Sequence, residues 1–209
     1  MDRRLIALAL AGIAILGLVL YEDQYQQHVR SLPPAERPLP RRSAATFQLF
    51  DQHQPSQFVK FERYLGRTKL LLVFFDENLG IEQDPIMQEL FRQADAISGN
   101  GVQIVAVSLV PPSQNRAAME RLGMEKAPFP VLTDVDVTGP VLAPAHSAYG
   151  LLDELTGKVS TGMFLIDRKQ TIAMNTRDGL PYPVDHPLDV IAELAAGRWP
   201  KETFQTSSP

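Results

Sequence analysis

The stretch from Lys69 to Ile97, KLLLVFFDENLGIEQDPIMQELFRQADAI, constrains the fold more than any other part of the chain. It opens with an unbroken apolar run, Leu70 to Phe75, of the length and composition of a strand buried on both faces. A polar loop follows, Asp76 to Gln83, with Gly80 as its flexible point. Asp84 and Pro85 then give a helix start, a side-chain acceptor at the N-cap followed by proline at the first helical position. Met87, Leu90, Phe91, Ala94 and Ile97 recur at spacings of three and four, which predicts an amphipathic helix. A buried strand, a loop and a helix N-terminus together predict an α/β sheet whose ligand-holding edge lies here. The orphan N–H groups at such a helix start stabilise an anion.

The chemistry open to that loop is narrow, because the 209 residues include no cysteine. Disulfides, thiolate metal sites and thiol catalysis are excluded, and no compartment can be read from cysteine pairing. A net charge of −4, with the basic residues scattered rather than gathered on one stripe, argues against nucleic acid as a partner.

Residues 1–21 carry Arg3 and Arg4 directly before an apolar run from Leu5 to Tyr21. Such a run is about the shortest that spans a bilayer as a helix, so a single-pass transmembrane anchor is expected. A cleaved signal peptide is the alternative. The run ends in Leu18-Val19-Leu20-Tyr21-Glu22 with no small-x-small site close behind, which favours the uncleaved form. The next basic residue is Arg30, so the positive-inside rule leaves the N-terminus in the cytoplasm. The rest then lies on the extracytoplasmic side, periplasmic or lumenal. Residues 22–45 are polar, and Pro33, Pro34, Pro38 and Pro40 predict an extended, semi-stiff stalk.

The folded domain is expected over 46–198, with a frayed tail over 199–209. Phe47 and Leu49 begin a hairpin-like entry ending in a short turn of helix near Phe61. Ser98-Gly99-Asn100-Gly101 predicts the stop of the central helix, and Val102 to Val110 a second buried strand. Ser113 to Leu122 predicts a helix with Ser113 as N-cap and Gly123 as its stop. Pro128 to Asp134 predicts a short strand, and Gly139 to Tyr149 a short helix. Gly162 to Asp167 and Gln170 to Met174 predict two strands joined by a tight turn at Arg168-Lys169, and Pro187 to Arg198 a last amphipathic helix. Strands alternating with helices predict a three-layer α/β domain with a central mixed sheet.

Four segments in this order resemble the thioredoxin-like superfamily and, within it, the peroxiredoxins (the redoxin, or AhpC/TSA, group). They are KLLLVFF at Lys69, VQIVAVSLVPPSQNRAAMERLG at Val102, PFPVLTDVDVTGPVLAPAHSAYGLL at Pro128 and GMFLIDRKQTI at Gly162. The resemblance implies a thioredoxin-like fold and an active site in the loop after the first buried strand. Carried over position by position, the family's threonine falls on Ile81, its peroxidatic cysteine on Asp84 and its arginine on Thr161. A thioredoxin-type alignment would put the two cysteines near Leu79 and Glu82. Every reactive position is replaced, so the resemblance implies the fold without the activity. It also implies pairing through sheet edges or helix faces, so a homodimer is an expectation that no residue here specifies.

The remaining candidates are binding residues. Asp76, Glu77, Glu82 and Asp84 form an acidic cluster whose functional reading is a Ca²⁺ or Mg²⁺ site. Their spacing matches no calcium loop, so helix capping by Asp84 and solvated charge at the others is preferred, and no metal is expected. His146 is a candidate acid or base, but spacing assigns it no Ser or Asp partner, and a surface or half-buried histidine is the simpler reading. His53 and His186 fall at turn-like positions. No HExxH, GxSxG or phosphate-loop pattern occurs, and no cofactor is expected. The leading expectation is a membrane-anchored binding or scaffolding module whose partner meets the old active-site face. The alternatives are a metal- or carboxylate-dependent enzyme on the same fold, and an accessory to a cysteine-bearing redox partner.

Overall fold

In the computed structural model, which describes residues 3–32, 38–53, 56–135, 143–173, 176–177, 180–200 and 204–205, the chain divides into two units, Met1–Pro33 and Pro34–Pro209. The first unit holds one helix, α1 (Arg3–Ser31). It runs past Tyr21 through ten residues that the sequence reading assigned to an extended stalk. Half of residues 22–31 are good helix formers, and Gln27 Nε2 donates to Asp23 Oδ2 at 3.0 Å across one turn. Among the described residues no helix is long and apolar enough to cross a membrane. The anchor expected at Leu5 to Tyr21 includes side chains, 5–11 and 13, that lie outside that description.

In the second unit β1 (Gln48–Asp51) and β2 (Phe58–Lys60) make the entry hairpin, closed by a 3-10 turn at Phe61–Arg63. The apolar run after Lys69 is β3 (Lys69–Phe74), followed by a single helical turn, α2 (Gly80–Gln83), and α3 (Pro85–Gly99). Next come β4 (Val102–Ser108), α4 (Pro112–Arg121), β5 (Val131–Thr133), α5 (Pro144–Ala148) and β6 (Gly162–Ile166). The two-residue strands β7 (Thr176–Arg177) and β8 (Leu180–Pro181), α6 (Pro187–Ala195) and β9 (Phe204–Gln205) complete the described elements.

The main sheet has the order β2-β1-β5-β4-β3-β6. Strands β3, β4 and β5 are parallel, and β1 and β6 are antiparallel to their neighbours, so the sheet is mixed. Successive residues of β3 go to opposite cores. Leu71, Val73 and Phe75 pack with Met87, Leu90 and Ile97 of α3 and Ile191 and Leu194 of α6. Leu70, Leu72 and Phe74 pack on the other face with Phe61, Tyr149 and Phe164. Each fully buried large side chain contributes roughly 1.5–3 kcal/mol, which is why the continuous apolar run fixes this strand at the centre.

Three sequence expectations are corrected. Helix α4 starts at Pro112 with Pro111 as its N-cap, not with Ser113. The residue before a proline is pushed to extended backbone, and Pro111 sits at φ −58°, ψ 147°. Of the strand expected over Gln170 to Met174, Thr171 and Ile172 form isolated bridges instead, with Thr171 opposite Ser43 and Ile172 opposite Ile166, and Met174 lies outside the described residues. The segment at 42–44 takes those hydrogen bonds: Ile172 N donates to Arg42 O at 2.7 Å and Ala44 N to Gln170 O at 2.8 Å. The fold therefore engages the chain before Thr46, and Leu39 is already buried in the second core. Of the helix expected over Gly139 to Tyr149, the described part forms α5 (Pro144–Ala148), and residues 136–142 lie outside the described residues.

Candidate functional site

The segment after β3 is built around Asp84. Its side chain is 3% exposed and caps α3. Oδ1 accepts from Ile86 N at 2.8 Å and Met87 N at 3.1 Å, while Oδ2 accepts from Asp76 N at 3.0 Å. One carboxylate thus satisfies two orphan donors of the helix and closes the loop at its first residue. Its charge also lies in the favourable field of the α3 N-terminus.

The other loop candidates are held apart from it. Asp76 Oδ1 accepts from Asn78 N and Nδ2 at 2.8 and 2.9 Å, an Asx turn closed on itself. Glu82 forms a two-pronged pair with Arg121, Nε to Oε1 at 2.9 Å and Nη2 to Oε2 at 2.6 Å. The hydrogen bonds from Arg121 hold the Glu82 carboxyl below its ordinary pKa. Glu77 is exposed. Among the described residues no group of three or more His, Asp or Glu side chains is placed to hold a metal ion.

Of the family's reactive positions, Ile81 belongs to the hydrophobic core at 1% exposure, because the loop folds into α2 instead of remaining a polar loop. Thr161 is exposed just before β6. With Asp84 as cap, no thiol stands at any of the three.

His146 has a partner that spacing did not identify. Its ring is 1% exposed, and Nδ1 lies 2.6 Å from Oδ2 of Asp134, itself fully buried at the end of β5. Asp134 also accepts from Ala145 N at 3.0 Å and His146 N at 2.7 Å, so it caps the start of α5 from outside the helix. The imidazole edge packs on Phe74, with ring centroids 4.8 Å apart. The expectation of a surface or half-buried histidine is therefore corrected. Tyr149 closes this core; its hydroxyl donates to Ala45 O at 3.1 Å, and burial pushes its pKa far above the ordinary tyrosine value.

A second Asp–His pair stands in the open. Asp51, at the end of β1, accepts from His53 N at 3.1 Å and Gln57 N at 2.8 Å, and His53 Nδ1 lies 2.7 Å from Oδ2. The imidazole side chain is 48% exposed. Two clefts of about 180 and 300 Å³ share Gln52, His53, Lys126 and Ala127 and form one trough. Arg116 Nη1 fixes its wall by donating to the Gln52 and His53 carbonyls at 3.0 Å each. Sequence reasoning gave His53 no role beyond a turn; the aspartate two residues before it was the available signal.

The mixed sheet, the two-sided core and a loop leading into the first turn of α3 define a thioredoxin-like α/β protein. Solved structures agree on that fold: AhpC of Mycobacterium bovis aligns with TM-score 0.54 at 16% identity, covering 79% of this chain and 97% of that one. The peroxidoxin BcpB of Mycobacterium tuberculosis aligns with TM-score 0.52 at 18% identity, covering 75% and 94%. Residues 40–174 match the AhpC/TSA family, and the chain belongs to it. Alkyl hydroperoxide reductase E of M. tuberculosis and of M. bovis is 31% identical over 131 residues, 62% of this chain and 79% of the relative. Within that peroxiredoxin group this chain is a member without cysteine.

Proposed function

We propose that the protein is a membrane-anchored, peroxiredoxin-like module that binds or scaffolds a protein partner and carries out no thiol redox chemistry. The observation that carries this reading is Asp84. It stands where the resemblance places the peroxidatic cysteine, with both carboxylate oxygens engaged by backbone N–H groups. A peroxidatic cysteine works as a thiolate stabilised by a helix N-terminus and a nearby cation. A carboxylate satisfies the same field and has no electron pair that reduces a peroxide.

Anchoring is supported by α1, a continuous helix that contains the apolar run and its flanking Arg3 and Arg4. Ile15, Leu16, Leu18, Val19, Leu20 and Tyr21 are all more than half exposed along it, the kind of surface that lipid covers. In this reading the N-terminus is cytoplasmic and the domain extracytoplasmic. Docking at the old active-site face is supported by Leu79 and Leu122, 40% and 41% exposed, which adjoin α2 and the Glu82–Arg121 clasp.

A photo-crosslinking side chain at position 79, with one at the exposed Leu155 as control, tests the reading in intact membranes. A specific protein adduct from position 79 that position 155 lacks is expected. Equal labelling at both, or none, would remove the docking claim. An adduct bearing redox-active cysteines would make the module an accessory to that partner's chemistry.

A further inference from the structure

Asn100 and Gly101 form the sole Asn–Gly step in the sequence, and they sit where α3 meets α6. Asn100 is the C-cap of α3, at φ −84° and ψ 9°. Its side-chain Nδ2 reaches across to donate to Leu194 O and Ala195 O, each at 3.0 Å. These are carbonyls of the last turn of α6, where the helix ladder runs out of donors; Leu194 O also accepts from Gly197 N at 3.0 Å. One residue therefore caps two helices, its own through the backbone N–H and α6 through the side-chain amide.

Asn–Gly is also the sequence most prone to intramolecular deamidation, because glycine leaves the following backbone nitrogen unhindered. A Cβ added at Gly101 would meet nothing within 4 Å, and both residues are exposed, so water has access. Three features of the folded state oppose the reaction. The ψ angle turns the Gly101 nitrogen over Asn100's own nitrogen and away from its side chain. The Gly101 N–H is engaged by Ser98 O at 2.9 Å. The departing Nδ2 is held by two carbonyls.

We propose that Asn100 is a deamidation site gated by the fold, and that its conversion disconnects α3 from α6. When this corner opens, the Gly101 nitrogen attacks Asn100 Cγ. The N–Cγ bond forms, the Cγ–Nδ2 bond breaks, and ammonia leaves with the proton from Gly101 N–H. Water then opens the resulting succinimide to aspartate or isoaspartate. The product cannot re-form the contact. A carboxylate has acceptors only, and it would face two carbonyl oxygens at the negative end of the α6 dipole. Local opening of this corner thus becomes irreversible, and the site records how often α6 leaves α3.

The test incubates the full chain in detergent micelles at mildly alkaline pH, with and without urea. The tryptic peptide 93–116 is then followed by tandem mass spectrometry for the mass gain of exchanging –NH2 for –OH at Asn100. The native sample is expected to stay near background while the urea sample is converted several-fold faster. Separately, Asn100→Asp is expected to lower the melting midpoint by about 4 °C. Equal conversion rates in the two samples would overturn the gating. An Asn100→Asp protein that melts with the parent would overturn the claimed consequence. Should that variant not fold, the kinetic comparison still decides the gating.

Discussion

Asp84 and Asp51 are both buried carboxylates that accept three hydrogen bonds, yet they leave their surroundings in opposite chemical states. All three donors to Asp84 are backbone N–H groups, so its charge is consumed by the loop it closes. Asp51 takes two backbone donors and one imidazole nitrogen, and the ring that carries that nitrogen looks onto a solvent trough. Asp134 lies between the two cases: it too orients an imidazole, but that of His146 is sealed in the core. A carboxylate bound only by backbone is a structural part. One that orients an exposed histidine keeps a titratable group in contact with solvent. By that criterion the carboxylate after β3 is a structural part, while the turn after β1 keeps an imidazole in contact with solvent.

The contrast can be broken by removing each acid in turn. Asp134→Ala should cost most, about 3–5 kcal/mol, because it leaves a buried histidine and two helix N–H groups unpaired. Urea unfolding of the variant should show a lower midpoint with an unchanged slope; a loss comparable to that at an exposed site would mean the pair is not sealed. Asp84→Ala should cost about 2–4 kcal/mol, the loss of an N-cap plus the unpaired Asp76 N–H. Amide exchange of Asp76, Ile86 and Met87 should accelerate together, and faster exchange at the helix residues alone would deny that the cap also closes the loop. Asp51→Ala should cost only about 1–2 kcal/mol, since water can reach the freed groups.

The smallest effect is at Glu82. Its folded pKa is depressed by Arg121, so any stability it contributes is present above the ordinary carboxylate range and lost as pH falls through the depressed value. The pair is exposed, so Arg121→Ala should leave the melting midpoint nearly unchanged. It should return the Glu82 carboxyl titration to the ordinary range; no upward movement would show that the clasp is absent in solution.

One side of this contrast is legible in the sequence, and the reasons are local. β3 and α3 were readable because a two-sided apolar run and a 3.6-residue stripe admit one packing each, and Asp84-Pro85 is a cap signal within two residues. The Asp134–His146 pair was not, because its members are joined across residues 136–142, where the sequence has no periodicity to set their separation. Asn100 showed as a helix stop, but its second role depends on carbonyls 94 and 95 residues away. Likewise the pairing of residues 170–172 was decided by the segment at 42–44, which composition alone marked as stalk. Ile81 illustrates the same limit: in a polar loop it looked like a degenerate site position, and the α2 turn places it in the core.

The central claim is that the cysteine-free loop closed by Asp84 performs no peroxide chemistry. The most direct measurement is peroxide consumption by the purified full chain with a thiol reductant present, compared with the reductant alone. The account predicts that the two rates coincide at every protein concentration. Consumption that rises in proportion to added protein would contradict it.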